Sequence, residues 1–139
     1  MRIMAVDYGD AHTGIAVSDP TGFIPGYTGV IDMHDPARCA DLVAAAAREH
    51  GVGRIVVGRP LNMNGTSGDR IAKTERFAAL LRERVDMEVV FWDERLTSVD
   101  ANRILSDAGK KRKKQKRLVD AVAASLILQS YLDFSARRE

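Results

Sequence analysis

Apolar residues along this chain fall into two periods, one strand-like and one helical. Four short continuous runs read as strands. They are Ile3-Met4-Ala5-Val6 ending in Asp7, Ile15-Ala16-Val17 ending in Ser18-Asp19, Ile55-Val56-Val57 before Gly58, and Val89-Val90-Phe91-Trp92 before Asp93-Glu94. Continuous rather than alternating apolarity predicts strands covered on both faces. Gly26 to Asp32 is a weaker fifth candidate, expected as the third strand at the sheet edge. The DYGDAH connection between the first two runs is too short for a parallel crossover, which needs about a dozen residues, so it predicts an antiparallel hairpin.

The helical period appears between and after these runs. Asp35-Pro36 supplies an N-cap with proline at the first helical position, followed by the stripe Cys39, Leu42, Val43 and Ala46, and Gly51 ends the helix. A second helix is expected from near Asp69, with Ile71, Thr74, Ala78, Leu81 and Val85 on one face. Thr97-x-x-Asp100 has the form of a capping box and predicts a short third helix stopping near Gly109. The last helix, Leu118 to about Ser135, is apolar almost all round and is expected to lie buried against the sheet. The order βββαβαβαα implies an α/β fold with a mixed five-stranded sheet, its first three strands antiparallel, and helices on both faces. No repeat, linker or low-complexity stretch interrupts it, so residues 1–139 are expected to form one domain.

Composition narrows the class. Hydrophobic content of 45% with 29% charged residues is ordinary for a folded globular protein and excludes a disordered one. No apolar run approaches the roughly 20 residues that span a bilayer, and MRIMAVDYG turns acidic too early for a secretory signal. The single Cys39 cannot form an intrachain disulfide, which fits a reducing compartment. A cytoplasmic protein with no membrane partner is expected. The net charge of +2 conceals a separation: Lys110 to Arg117 read KKRKKQKR, seven of the 21 basic residues. The remainder carries 14 basic against 19 acidic residues, a net −5.

Three of those acids sit where burial should discourage them. Asp7 ends the first strand, Glu94 follows the last, and Asp120 lies early in the apolar final helix, in line with Ala123, Ala124 and Ile127. Ligands of open α/β sheets gather outside the carboxyl ends of strands, where two of these acids fall. Three converging carboxylates repel one another unless a cation sits between them, and Mg²⁺ or Mn²⁺ takes oxygen ligands of this kind. Two such ions about 3.5–4 Å apart can clamp a phosphodiester. Each acid also has a plain reading: a turn residue at a strand end, or, for Asp120, a favourable charge near a helix start.

The basic run, Lys110, Lys111, Arg112, Lys113, Lys114, Lys116 and Arg117, reads either as a solvated face or as a phosphate-binding segment acting by counterion release. Its position leading into Asp120 favours the second. Gly58 to Thr66, GRPLNMNGT, follows a strand and precedes a helix; its Arg59, Asn62, Asn64 and Thr66 suit a nucleic-acid backbone, or a tight loop satisfying itself. Arg95, beside two acids, can steady a phosphate or form a structural ion pair. The three histidines have no zinc-ligand spacing with Cys39, which sits on an apolar stripe, and Trp92 reads as a packing residue.

Taken together, DYG at 7–9, GIAVSD at 14–19, GRPLNMNGT at 58–66, DERLTS at 93–98 and the basic stretch before VDAVAASLILQSYL at 119–132 resemble the YqgF/RuvX family nearly end to end. The resemblance implies a ribonuclease H-like fold and a nuclease with Asp7, Glu94 and Asp120 as catalytic, metal-binding carboxylates. It further implies action on structured RNA, in maturation of the 5′ end of the 16S rRNA precursor, with the pre-ribosome as partner. The alternative it carries is resolution of branched, four-way DNA junctions. The chain departs from the family in having Asp10, Ala11 and His12 where basic residues often follow DYG. It also departs from RuvC-like resolvases, which carry a second acid at the position of Ala123; this counts against junction resolution. Asp7-x-Gly9 with Gly14 also resembles the first phosphate loop of actin-like and sugar-kinase ATPases, which close two such domains around a nucleotide. A non-catalytic nucleic-acid-binding or ribosome-assembly module is the remaining class.

Overall fold

A computed structural model of the chain describes residues 1–60, 68–94 and 112–138, and the side chains of all of these except 112–119, 137 and 138. Five strands, β1 (Arg2–Asp7), β2 (His12–Ser18), β3 (Pro25–Asp32), β4 (Val52–Arg59) and β5 (Glu88–Asp93), form one sheet in the order β3-β2-β1-β4-β5. β1 pairs antiparallel with β2, and β2 with β3, through short turns. β4 and β5 are parallel to β1, each reached through a helical crossover. The expected mixed sheet with its antiparallel first three strands is therefore observed, and β3 lies at the edge.

Side-chain parity divides the core into two layers. Met4, Val6, Ile15, Val17, Ile55 and Val57 face α1 (Pro36–Glu49) and α2 (Asp69–Arg82). Ile3, Ala5, Ala16 and Val56 face the opposite way, against α3 (Arg112–Arg138) through Ala124, Ile127, Leu128, Tyr131 and Leu132. Strands covered on both sides must be apolar at every position, which is why their runs are continuous.

Caps set the helix ends. The Asp35 side chain accepts from the Ala37 N–H at 3.2 Å, and Gly51 takes a positive φ of 66° just past α1. The buried stripe of α1 is Cys39, Ala40, Val43, Ala44 and Ala47; Leu42, expected in the core, is 42% exposed. An alanine-rich helix packs its small face closely on the sheet and turns its one long aliphatic side chain outward. In α2 the buried set is Ile71, Thr74, Phe77, Ala78 and Leu81, and Val85 lies beyond the helix end. Asp19 closes the β2–β3 turn, accepting from the N–H groups of Thr21, Phe23 and Ile24 and from the Thr21 hydroxyl.

The final helix begins at Arg112 rather than Leu118, so most of the basic run is helical. Lys, Arg and Gln are good helix formers, and repulsion among like charges at helical spacing costs only a few tenths of a kcal/mol per pair. Asp120 thus lies more than two turns inside the helix, too deep for a helix-start charge. The helix expected between Thr97 and Gly109 lies outside the described residues.

Phe77 is fully buried and stacks on Tyr8 with ring centroids 4.4 Å apart. This contact fixes α2 against the residue following Asp7. Phe77→Ala is expected to cost about 3–5 kcal/mol, measured by denaturant unfolding.

Candidate functional site

Because β1, β4 and β5 are parallel, their carboxyl ends share one edge of the sheet. Asp7 ends β1 and is 8% exposed. By parity it points, like Ile3 and Ala5, to the α3 face, while its neighbour Tyr8 points to the α2 face. Glu94 follows β5 and by the same alternation shares the α3 face with Val90 and Trp92. β4 lies between these strands, so a carboxylate from one must reach across it to meet the other.

Gly58 opens that path. It is level with Trp92 of β5 and one residue past the Val6–Val57 pair. A Cβ there would stand 3.2 Å from the Glu94 Cγ and Oε1 and 2.5 Å from the Ile127 Cδ1. With only hydrogen at this position, Glu94 reaches over β4 to hydrogen-bond the Asp7 carboxyl. Gly58→Ala is expected to move Glu94 off Asp7 and, on the nuclease chemistry that the family resemblance implies, to lower turnover at least tenfold. The flexible tip of Ile127 can yield, so its melting temperature should fall only slightly. An unchanged turnover rate would show that the Asp7–Glu94 contact is not required.

Asp120 arrives from above. Gly14 of β2 is the register partner of Asp7, and a Cβ on Gly14 would stand 2.0 Å from the Asp120 carbonyl oxygen. The α3 backbone therefore rests on the strand beside Asp7, with Asp120 half-buried. Among the described residues, no three His, Cys, Asp or Glu side chains already stand at metal-holding spacing. The closed contact is the Asp7–Glu94 pair, with Asp120 held over the adjoining strand.

Electrostatics distinguish this pair from a structural one. Burial first, then the Glu94 charge and hydrogen bond, raise the Asp7 carboxyl from its ordinary value near 3.8 to about 8, against a smaller opposing effect of Arg70. The Arg70 guanidinium stands 3.8 Å from Asp7 Oδ1. Two carboxyl groups in contact in a buried site are a donor set that a hard divalent cation fits, since its charge compensates both and its ligands are oxygens.

The other candidate positions divide by location. Arg59 pairs with Glu75 at 2.6 Å, and its guanidinium lies 5.0 Å from the Phe91 ring centroid, so it is braced against α2 and β5. Asn62, Asn64, Thr66, Arg95, Lys110 and Lys111 lie outside the described residues. Arg112, Lys113, Lys114, Lys116 and Arg117 occupy the first turns of α3. Trp92 packs as expected: its Nε1–H donates to Ser130 Oγ at 3.0 Å and its ring meets Tyr131 edge-on. Cys39 is buried, donating to Thr13 Oγ1 at 3.4 Å, and burial raises its thiol pKa.

Sequence reasoning missed Arg70 and Lys73. In the sequence they stand only as two cations three residues apart at the start of a helix, about sixty residues from the Asp7–Asp10 segment they meet in the fold.

A mixed sheet in this order, with acids at the carboxyl edge and a long helix crossing the face, defines a ribonuclease H-like α/β protein. Thermus thermophilus RuvC in complex with Holliday junction substrate has the same fold, with a TM-score of 0.64 at 13% identity over 97% of this chain and 96% of that one. So does the Fowlpox virus resolvase bound to Holliday junction DNA, with a TM-score of 0.60 at 15% identity over 97% and 99%. The family model RuvX, described as Holliday junction resolvase, matches residues 1–134, and the chain belongs to that family, the YqgF/RuvX proteins. A relative from Acetivibrio thermocellus named "Putative pre-16S rRNA nuclease" is 46% identical over 96% of each chain. No described helix is long and apolar enough to cross a membrane.

Proposed function

We propose that this chain is a divalent-metal-dependent nuclease that hydrolyses phosphodiester bonds in structured RNA, acting in the cytoplasm on the 5′ end of the 16S rRNA precursor during ribosome biogenesis. The observation that carries the chemistry is the buried Asp7–Glu94 pair closed across Gly58 at the carboxyl edge of the sheet. The names of the curated relatives support the RNA substrate.

In this reading Asp7, Glu94 and Asp120 would hold Mg²⁺ or Mn²⁺, which would supply Lewis-acid neutralisation of the scissile phosphate and a water nucleophile at neutral pH. Asp7 would be the shared residue of that set, since its strand lies between the one that carries Gly58 and the one that carries Gly14. Arg59, Asn62, Asn64, Thr66 and Arg95 contact the substrate near the site. The basic turns of α3 hold the nucleic-acid backbone and lead it toward Asp120. The family description favours a second reading, cleavage of four-way DNA junctions.

The test is a panel of precursor leader RNA and four-way junction DNA incubated with Mg²⁺ or Mn²⁺. Metal-dependent cutting of the leader supports the proposal; cutting confined to the junction transfers the site to resolution. Salt-sensitive binding of the leader without cleavage would leave a non-catalytic binding module. For the basic run, charge reversal at Lys113 and Lys114 together is expected to weaken RNA binding and flatten its salt dependence by about 1.4–1.8 in logarithmic slope. Direct binding titrations across ionic strength read both quantities.

A further inference from the structure

A second cationic feature stands on the opposite side of Asp7 from α3. Tyr8, Gly9, Asp10, Asp69, Arg70 and Lys73 line a cleft of about 200 Å³ between the β1–β2 turn and the first turn of α2. Drug-sized ligands occupy pockets from about 300 Å³ upward, so this space suits a smaller group. Arg70 and Lys73 are three residues apart and so project from one face of α2. The buried stripe Ile71, Thr74, Phe77 and Ala78 turns that face toward the β1–β2 turn, and the Tyr8–Phe77 stack sets the separation.

Both cations are poorly used in the free protein. Arg70 is 64% exposed, and its contact with Asp7, at 3.8 Å, leaves most of its five donors facing solvent. Lys73 is 54% exposed and donates to Asp10 at 3.1 Å. Gly9 must be glycine, since a Cβ there would stand 2.3 Å from the His12 carbonyl oxygen, and it leaves that wall of the cleft without a side chain. The β1–β2 turn itself carries Asp10 and Ala11, with His12 opening β2, so the positive charge beside Asp7 comes from α2.

We propose that Arg70 and Lys73 form a phosphate-binding cleft that receives the nucleic-acid backbone next to the bond being cut, and that Asp10 holds Lys73 until phosphate displaces it. The inference rests on the nuclease reading for its substrate, and on geometry alone for its location. Arg70 presents a planar fork able to take a phosphate through two hydrogen bonds, while Lys73 supplies a point charge. The cleft opens beside Asp7, so a phosphate seated there places a neighbouring phosphodiester at the carboxylates.

The experiment measures binding of labelled precursor leader RNA by the full-length chain in EDTA, across a salt titration, where no cleavage contributes. Arg70→Ala and Lys73→Ala are each expected to weaken binding several-fold and to reduce the logarithmic salt slope by about 0.7–0.9. Arg70→Lys should restore the slope and part of the affinity. Asp10→Asn should act in the opposite direction, tightening binding, because it frees Lys73 without removing a cation. Arg38→Ala, exposed on α1, serves as the control and should leave both quantities unchanged. All five changes lie at exposed side chains, and thermal melting verifies that the fold is intact.

Unchanged affinity and slope in the Arg70→Ala/Lys73→Ala double variant would overturn the proposal, as would weaker binding by Asp10→Asn. Cleavage on the panel separates the two readings. If the wild type cuts nothing while binding still depends on Arg70 and Lys73, the cleft stands and the nuclease assignment falls. If the double variant binds and cuts like wild type, the reverse holds.

Discussion

Asp7→Asn is expected to abolish metal-dependent cleavage and, at the same time, to make the metal-free protein more stable. The first effect follows from removing the central carboxylate of the proposed cation site, which is worth several kcal/mol of transition-state stabilisation, or about 10³-fold or more in rate. The second follows from the cost of keeping that carboxylate. In the fold, Asp7 titrates near 8 because it is buried against Glu94; in the unfolded chain it titrates near 3.8. Below about pH 4 both states carry the proton and Asp7 adds no penalty. As pH rises from 4 to 8 the unfolded chain ionises freely and the folded one does not, so stability falls across that window and levels off above it.

Asparagine has nearly the shape of a protonated aspartate, can donate to Glu94 and carries no charge. The variant should therefore be more stable than the wild type at pH 8, with a clearly higher melting temperature, and equal to it at pH 4. Adding Mg²⁺ or Mn²⁺ should reverse the order, stabilising the wild type by ligand linkage and leaving the variant unmoved. Thermal melts at pH 4, 6 and 8, with and without the cation, decide it. A variant less stable than wild type at pH 8 without metal would mean that the Asp7–Glu94 pair is not strained, and the cation site would lose its physical basis. A protein that tolerates this cost in its metal-free state holds a site built for something else to complete it.

The sequence reveals parts of this arrangement unequally, for physical reasons. The β1–β2 hairpin and the boundaries of α1 are legible because their signals are local: a connection too short to cross over, an aspartate cap, a glycine with positive φ. The face of α1 is not legible, because alanines carry little hydrophobic weight: the pattern points to Leu42, whereas Ala40, Ala44 and Ala47 make the core. The start of α3 is not legible either, because a run of like charges resembles a loop although each residue in it favours a helix. At the site, the acids announce themselves as carboxylates ending apolar runs. The features that let them meet do not. Gly58 and Gly14 are ordinary strand residues in sequence, and their meaning lies in Glu94, Ile127 and Asp120, which reach them only after the crossovers are made. Arg70 is invisible for the same reason, since nothing near it in sequence points to Asp7.

That dependence makes Gly14→Ala the most severe single-methyl change expected in the described part of the chain. The new Cβ would stand 2.0 Å from the Asp120 carbonyl oxygen and 2.6 Å from its carbonyl carbon, both backbone atoms of α3. No rotamer can relieve this, so the helix must lift by more than about 1 Å or β2 must bend away, breaking the contacts of Ala124, Ile127 and Leu128 with Ala5, Ala16 and Val56. Overpacking in a close-packed core costs about 1–3 kcal/mol when side chains can adjust, and a backbone obstacle places this change at or above the upper end. Cleavage should fall further than stability, by about 100-fold at a temperature where the variant remains folded, because Asp120 is carried away from Asp7 with the helix. Gly26→Ala is the matched control: its Cβ would meet the Val17 carbonyl oxygen at 3.4 Å, an ordinary contact, so stability and activity should both stay near wild type. Urea unfolding and leader cleavage, run on the two variants side by side, separate strain at α3 from the general effect of removing a strand glycine. If Gly14→Ala matched Gly26→Ala in both, the docking of α3 on β2 would not be what positions Asp120.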